Sequence, residues 1–214
     1  MNNNYFPYKA SSISVYIVFI YLIIVWVNKN IIFDVNFYYR VWQSKYSFER
    51  IDNLIIQNNN LSIFSYFIWP CILYIKWLLI TIVIFIGTML FEIRISFKNC
   101  FKIILFAEII SLISSILKSL YFYIYPPINL EVIQNFNPLG LSSLLKNDTI
   151  PKYLLYPIQQ LNLFEVGYWL LLAYGIKSLG NVDFKKALKI TSLSYGVGLL
   201  IWCIFIVFLQ LQFS

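Results

Sequence analysis

The 214-residue chain contains no histidine. That absence removes the side chain most often used as a general base at neutral pH and the commonest metal ligand. A catalytic triad built on imidazole and a histidine-bound zinc or haem are therefore not expected. Cysteine is nearly as sparse. Cys71, Cys100 and Cys203 stand far apart, no CxxC spacing occurs, and two of them fall in apolar runs, where a thiol packs as a small hydrophobe. Charge is scarce too: 12% of residues are charged, against roughly 25% in soluble domains. No HExxH, GxSG, GxGD or P-loop pattern is present. The sequence thus points to a protein that is not an enzyme and that needs no cofactor or metal.

What fills the chain instead is apolar: 60% of residues are hydrophobic and 20% aromatic. A water-soluble core could not hide that much Ile, Leu, Phe and Tyr without exposing large apolar patches. Five runs approach the roughly 20 apolar residues that cross a bilayer, at about 12–27, 64–91, 101–125, 162–178 and 188–213. The expected fold is an all-α integral membrane protein, one membrane domain over 1–214. Its five transmembrane helices would form a compact bundle, with short interfacial helices in the two outer loops. The first run has only Lys9 before it and no A-x-A cleavage pattern after it, so it reads as a retained span.

The net charge of +7 comes from basic residues scattered beside the apolar runs. With no basic stripe, nucleic acid is not an expected partner, whereas lipid headgroups are. Lys9, Arg94, Lys98, Lys102, Lys177, Lys185, Lys186 and Lys189 crowd the amino terminus and two short connections. Lys29, Arg40, Lys45, Arg50, Lys146 and Lys152 are spread over two longer segments on the other side. Density places the first group in the cytoplasm, with the amino terminus inside and the carboxyl terminus outside.

Polar residues within the runs are the candidate sites. Glu108 lies six residues past Lys102 and shares a helix face with Ser111 and Ser115. These belong to a stripe of Ala107, Ser111, Ser115 and Ser119, the small-residue spacing that lets helices approach closely in lipid. Ser192 with Gly196, and Ser194 with Gly198, repeat that spacing in the last run. Gly87, Ala173 and Gly175 are expected in the same half. The second to fifth runs would then pack closely, with Glu108 pointing inward toward Thr88, Tyr174 or Tyr195. Three roles stay open to Glu108, in this order: polar glue, partner contact, ion coupling. Lys76 and Lys118 read as snorkelling toward an interface, and Glu165 as partly solvated near the outer end of the fourth run.

Both outer segments carry structure. In 28–62, Tyr39, Trp42 and Tyr46 fall at helical spacing, which suits an interfacial helix or, alternatively, a surface for a protein partner. In 134–157, Asn137 can cap a helix that opens on Pro138. Leu139, Leu141, Leu144 and Leu145 would be available for burial in a two-turn helix lying over the bundle mouth, as a plug or a lid.

The stretches "FNPLGLSSLL", "LYPIQQLNLFEVGYWLLLAYGI" and "FKKALKITSLSYGVGLLIW" resemble the second half of the Yip family, the Ypt/Rab-interacting multispan membrane proteins and their bacterial relatives. The resemblance covers roughly 64–213 and is clearest from Asn137 onward. It implies five spans with the amino terminus inside and the carboxyl terminus outside, and, for a bacterial-type member, the inner membrane. Eukaryotic members are linked to Rab GTPases through a cytosolic amino-terminal region. Here about ten residues precede the first run and no DLxGP-type motif is present, so GTPase binding is not expected. The expected function is a non-enzymatic accessory or scaffold subunit that binds other integral membrane proteins or copies of itself. The alternative is a small oligomeric transporter or channel with Glu108 as its intramembrane polar site.

Overall fold

A computed structural model describes residues 10–43, 45–143 and 151–213. The described residues are helical, joined by short connections. α1 spans Ala10–Val27 and runs on through a π-helical turn, Asn28–Ile32; α2 is Val35–Trp42, α3 Phe48–Leu90 and α4 Phe97–Ile124. α5 is Leu130–Asn135, α6 Lys152–Gln160, α7 Leu163–Gly180 and α8 Phe184–Thr191. A second π-helical turn, Ser192–Gly196, joins α8 to α9, Val197–Phe213. Helix starts follow ordinary capping chemistry: Asp34, Asn129, Asn162 and Asp183 each accept a backbone N–H of the turn that follows.

Four helical segments are long and apolar enough to cross a membrane: Ala10–Ile32, Phe64–Leu90, Phe97–Ile124 and Phe184–Phe213. α7, the expected fourth span, is helical but is not among them. It has 18 residues and carries Glu165, Lys177 and three glycines. α4 is the central post, packed against α1, α3 and α7, while α8 packs on α7 and α3. Cys100, Ile103, Ile104, Leu105 and Ala107 of α4 are fully buried at the heart of the core, with Trp77, Ile84, Leu172 and Ile176 around them. α1 thus shares in the close packing, which the small-residue spacing suggests for the second to fifth runs.

Close approaches occur where side chains are smallest. A Cβ placed on Gly175 would stand 2.5 Å from Ile103 Cγ2, and one on Gly180 2.7 Å from Ile93 Cγ2. Gly87 lies directly against Ser194. The Gly180 approach brings the 91–96 and 181–183 connections to one end of the bundle, so Arg94, Lys185 and Lys186 share that end.

α3 differs from expectation in its length. Its 43 residues extend about 64 Å, twice a hydrocarbon core of about 30 Å. Residues 48–62 are a polar helical extension of the apolar half rather than a separate loop. Ile51 and Ile55, one turn apart, are buried, and α2 docks against this extension with Phe37 enclosed.

Candidate functional site

Glu108 is completely buried on the inward face of α4. Its partners are not Thr88, Tyr174 or Tyr195. Lys76 Nζ donates to Oε1 at 2.8 Å and to Oε2 at 3.1 Å, and Tyr21 Oη donates to Oε1 at 3.0 Å. One carboxylate therefore ties α4 to both α3 and α1. Thr88 instead donates to Phe85 O, Tyr174 is exposed, and Tyr195 serves a different acid.

Lys76 does not snorkel away. It lies near the middle of the apolar half of α3, fourteen residues before Leu90, and its side chain turns to the carboxylate while staying 41% exposed. Near mid-span an ammonium gains more from a buried counter-ion than from reaching for an interface.

The second acid is Glu165, in the first turn of α7. Its Oε1 accepts from Trp169 Nε1 at 2.9 Å and from Tyr195 Oη at 2.8 Å. The Tyr195 ring meets Tyr168 at 5.3 Å and Trp169 at 5.8 Å. Glu165 and Tyr168 stand one turn apart on α7. Measured along their helices from the 91–96 and 181–183 connections, Lys76, Glu108, Glu165 and Tyr195 stand twelve to sixteen residues away, about 18 to 24 Å. They form one polar layer.

The Glu165–Tyr195 bond has a topological consequence. It sets the start of α7 beside the second π-helical turn, so α9 runs on for 17 residues past that level. The space above α7 is taken by α6, which packs on α9 and accepts Trp202 Nε1 at Tyr156 Oη, 2.8 Å. α6 and α7 thus act as a helix interrupted at Leu161–Asn162. The break is held by 137–143: Leu141 N donates to Leu161 O, Leu163 N to Leu139 O, and Asn137 Nδ2 to Gln159 O.

This arrangement replaces the two-turn helix expected at 138–145. Asn137 braces α6 instead of capping, Pro138 is buried in a turn, and Leu139 takes a left-handed conformation with φ 52° that a helix cannot contain. Only Leu141–Ser143 is helical, as a single 3₁₀ turn; Leu144 and Leu145 lie outside the described residues.

Beside the break a cleft of about 1170 Å³ opens between α7, the second π-helical turn and α9, roofed by Leu139–Leu141 and Leu161. Its walls are chiefly apolar, with Glu165, Trp169, Ser192, Gly196 and Cys203 among them. A Cβ on Gly196 would meet Trp169 at 2.6 Å, and one on Gly198 would meet Val83 at 3.2 Å. The small-residue spacings therefore serve different purposes. Gly196 and Ser192 border the cleft, Gly198 and Ser194 meet α3, and Ser115 and Ser119 donate to carbonyls one turn earlier in their own helix, at Ser111 and Ser115.

The aromatic set divides. Tyr39 and Trp42 belong to α2, but Tyr46 lies beyond its end, edge-on to Trp42 at 6.5 Å. Tyr39 donates to Asp52 and Asn58 donates to Tyr38, so α2 is fastened to the α3 extension. Tyr21, Tyr168 and the role of Lys76 escaped the sequence reading; a charged residue or tyrosine deep in each apolar run was the available signal. Among the described residues, no group of three or more Cys, Asp or Glu side chains is arranged to hold a metal. Comparison with protein-family models, curated proteins and solved structures finds no match.

Proposed function

We propose that this is a non-enzymatic polytopic membrane protein that works as an accessory or scaffold subunit, receiving a helix of another integral membrane protein at the α7–α9 cleft. The observation that carries this reading is the state of α9. It contributes no buried residue and stands off α7 across a cleft bordered by Gly196, Ser192 and Glu165. Small residues permit close helix approach in lipid, and a carboxylate on a lipid-facing wall calls for a polar or cationic partner. The broken α6–α7 unit acts as the fifth membrane crossing. The basic connections at one end of the bundle favour a cytoplasmic amino terminus, an outer carboxyl terminus and, with the likeness to bacterial Yip-family proteins, the inner membrane.

The test is co-purification of the tagged chain in mild detergent, with Leu200→Trp to fill the cleft from its exposed α9 wall. A partner retained by the wild type and lost by the variant supports the reading; recovery of the wild type alone at monomer mass removes it.

A second reading, a small oligomeric transporter or channel, is favoured by one feature: the Lys76–Glu108 pair at mid-length of two apolar helices beside an interrupted one, the setting in which membrane transporters bind ions. Flux into liposomes by wild type and Glu108→Gln separates the two, because a scaffold gives leak-level flux in both.

A further inference from the structure

Among the described residues that line the α7–α9 cleft, Glu165 is the only acid, and no basic residue accompanies it. Its two oxygens are used unequally. Oε1 accepts from both Trp169 Nε1 at 2.9 Å and Tyr195 Oη at 2.8 Å, which occupies its two lone-pair positions. Oε2 accepts from no described residue, and Glu165 is only half-buried. Neither donor brings a positive charge. Lys76, the ammonium of the same layer, is committed to both oxygens of Glu108. A carboxylate on an apolar wall without a counter-ion is costly, and a cation relieves it.

The route to that oxygen narrows the choice of cation. Glu165 stands sixteen residues from the 181–183 connection, about 24 Å along α7. With that connection at the cytoplasmic face, the carboxylate lies in the outer third of a hydrocarbon core of about 30 Å. Leu139, Gly140, Leu141 and Leu161 roof the cleft above it, which shields the acid from lipid headgroups at the outer interface. Entry is sideways from the bilayer, past the α9 wall where Leu200 is exposed.

We propose that the helix received at this cleft presents a lysine to Glu165 Oε2. This rests on the reading that the cleft takes a partner's helix, and it adds the chemistry by which that helix is chosen. One open oxygen suits an ammonium, a point charge whose donors act singly. A guanidinium fork pairs best with both oxygens of a carboxylate, and Oε1 is already filled. The lysine belongs about sixteen residues from the cytoplasmic end of the partner's span, level with Glu165. Lys76 on α3 does for Glu108 within the chain what this lysine does for Glu165 from outside it.

The experiment is energy transfer in phosphatidylcholine vesicles between the acceptor-labelled full-length chain and a donor-labelled synthetic Leu/Ala helix of about 24 residues. The helix carries one lysine at the stated depth or, as control, norleucine. The wild type should bind the lysine helix saturably and about tenfold more tightly than the control. Glu165→Gln, which keeps an acceptor for Trp169 and Tyr195, should erase that difference, and Leu200→Trp should abolish binding of both helices. Equal binding of the two helices by the wild type, blocked by Leu200→Trp, overturns the lysine contact and leaves the helix-receiving cleft standing. Binding of neither helix overturns both. A lysine preference that survives in Glu165→Gln also overturns the inference, because the ammonium is then recognised elsewhere. So does a preference that vanishes in phosphatidylethanolamine vesicles, which would assign Oε2 to a lipid amine.

Discussion

Lys76 Nζ on α3 lies 2.8 Å from Glu108 Oε1 on α4, although 32 residues separate the two in the chain. Glu108 is fully enclosed while Lys76 keeps part of its side chain exposed. Removing one partner of such a pair leaves the other charge in an apolar interior, which is worse than removing both.

Lys76→Met should therefore destabilise the bundle by about 3 kcal/mol. The double variant Lys76→Met with Glu108→Leu should recover most of that loss, and Glu108→Gln, which keeps the bond from Tyr21, should cost less than Glu108→Leu. Unfolding by denaturant in detergent micelles reads the cycle. Strictly additive losses would mean that the two side chains do not interact.

Glycine positions offer a matched comparison. Gly175→Ala forces a Cβ onto Ile103, whereas a Cβ on Gly167 would meet Ile110 at an ordinary 3.5 Å. We expect Gly175→Ala to cost about 1–3 kcal/mol and Gly167→Ala to be close to neutral, both read as shifts in Tm. Equal effects at the two sites would count against the described α4–α7 packing.

The break between α6 and α7 depends on Asn162, whose Oδ1 accepts Glu165 N and whose Nδ2 donates to Gln159 O at 2.9 Å. Asn162→Ala should lower stability by roughly 1 kcal/mol. It should also raise hydrogen exchange at the amides of 163–166. Unchanged exchange there would show that the cap does not hold the start of α7.

On α2, the bond that Tyr39 donates to Asp52 holds its phenol above the ordinary range. A proton held more tightly in the folded chain contributes stability below the ordinary phenol value of about 10. That contribution fades as pH rises through the elevated value. Asp52→Asn should bring the Tyr39 titration back down, seen as phenolate absorbance after subtraction of a Tyr39→Phe variant. A titration that does not move would place Asp52 elsewhere.

The helical membrane character was legible in the sequence because apolar runs of bilayer length leave few alternatives. The inward aspect of Glu108 was legible as well, since a carboxylate in such a run has nowhere else to go. Its partners were not. Depth counted along one helix, as for Lys76 from Glu92, says nothing of how that helix is tilted or staggered against its neighbours, so Lys76 reads as interfacial. Tyr21 was passed over because a single hydroxyl in an apolar run carries no periodic signal. The helical spacing of Ile51 and Ile55 was an available signal for the α3 extension, but the polar run 57–60 masks its continuity with the apolar half. The fold of 137–143 was illegible for a local reason: Leu139 at positive φ is held there by bonds to residues 161–163, which no nearby sequence pattern announces.

The central claim is that this chain crosses a bilayer with its acid–base layer enclosed between helices. It is tested most directly by single cysteines in a version lacking Cys71, Cys100 and Cys203, labelled with a membrane-impermeant maleimide on intact cells and again after lysis. Cysteines at Asn58 should label in intact cells, those at Arg94 and Lys186 only after lysis, and one at Glu108 in neither. Labelling of Asn58 and Arg94 from the same side, or ready labelling at Glu108 in the folded protein, would contradict the account.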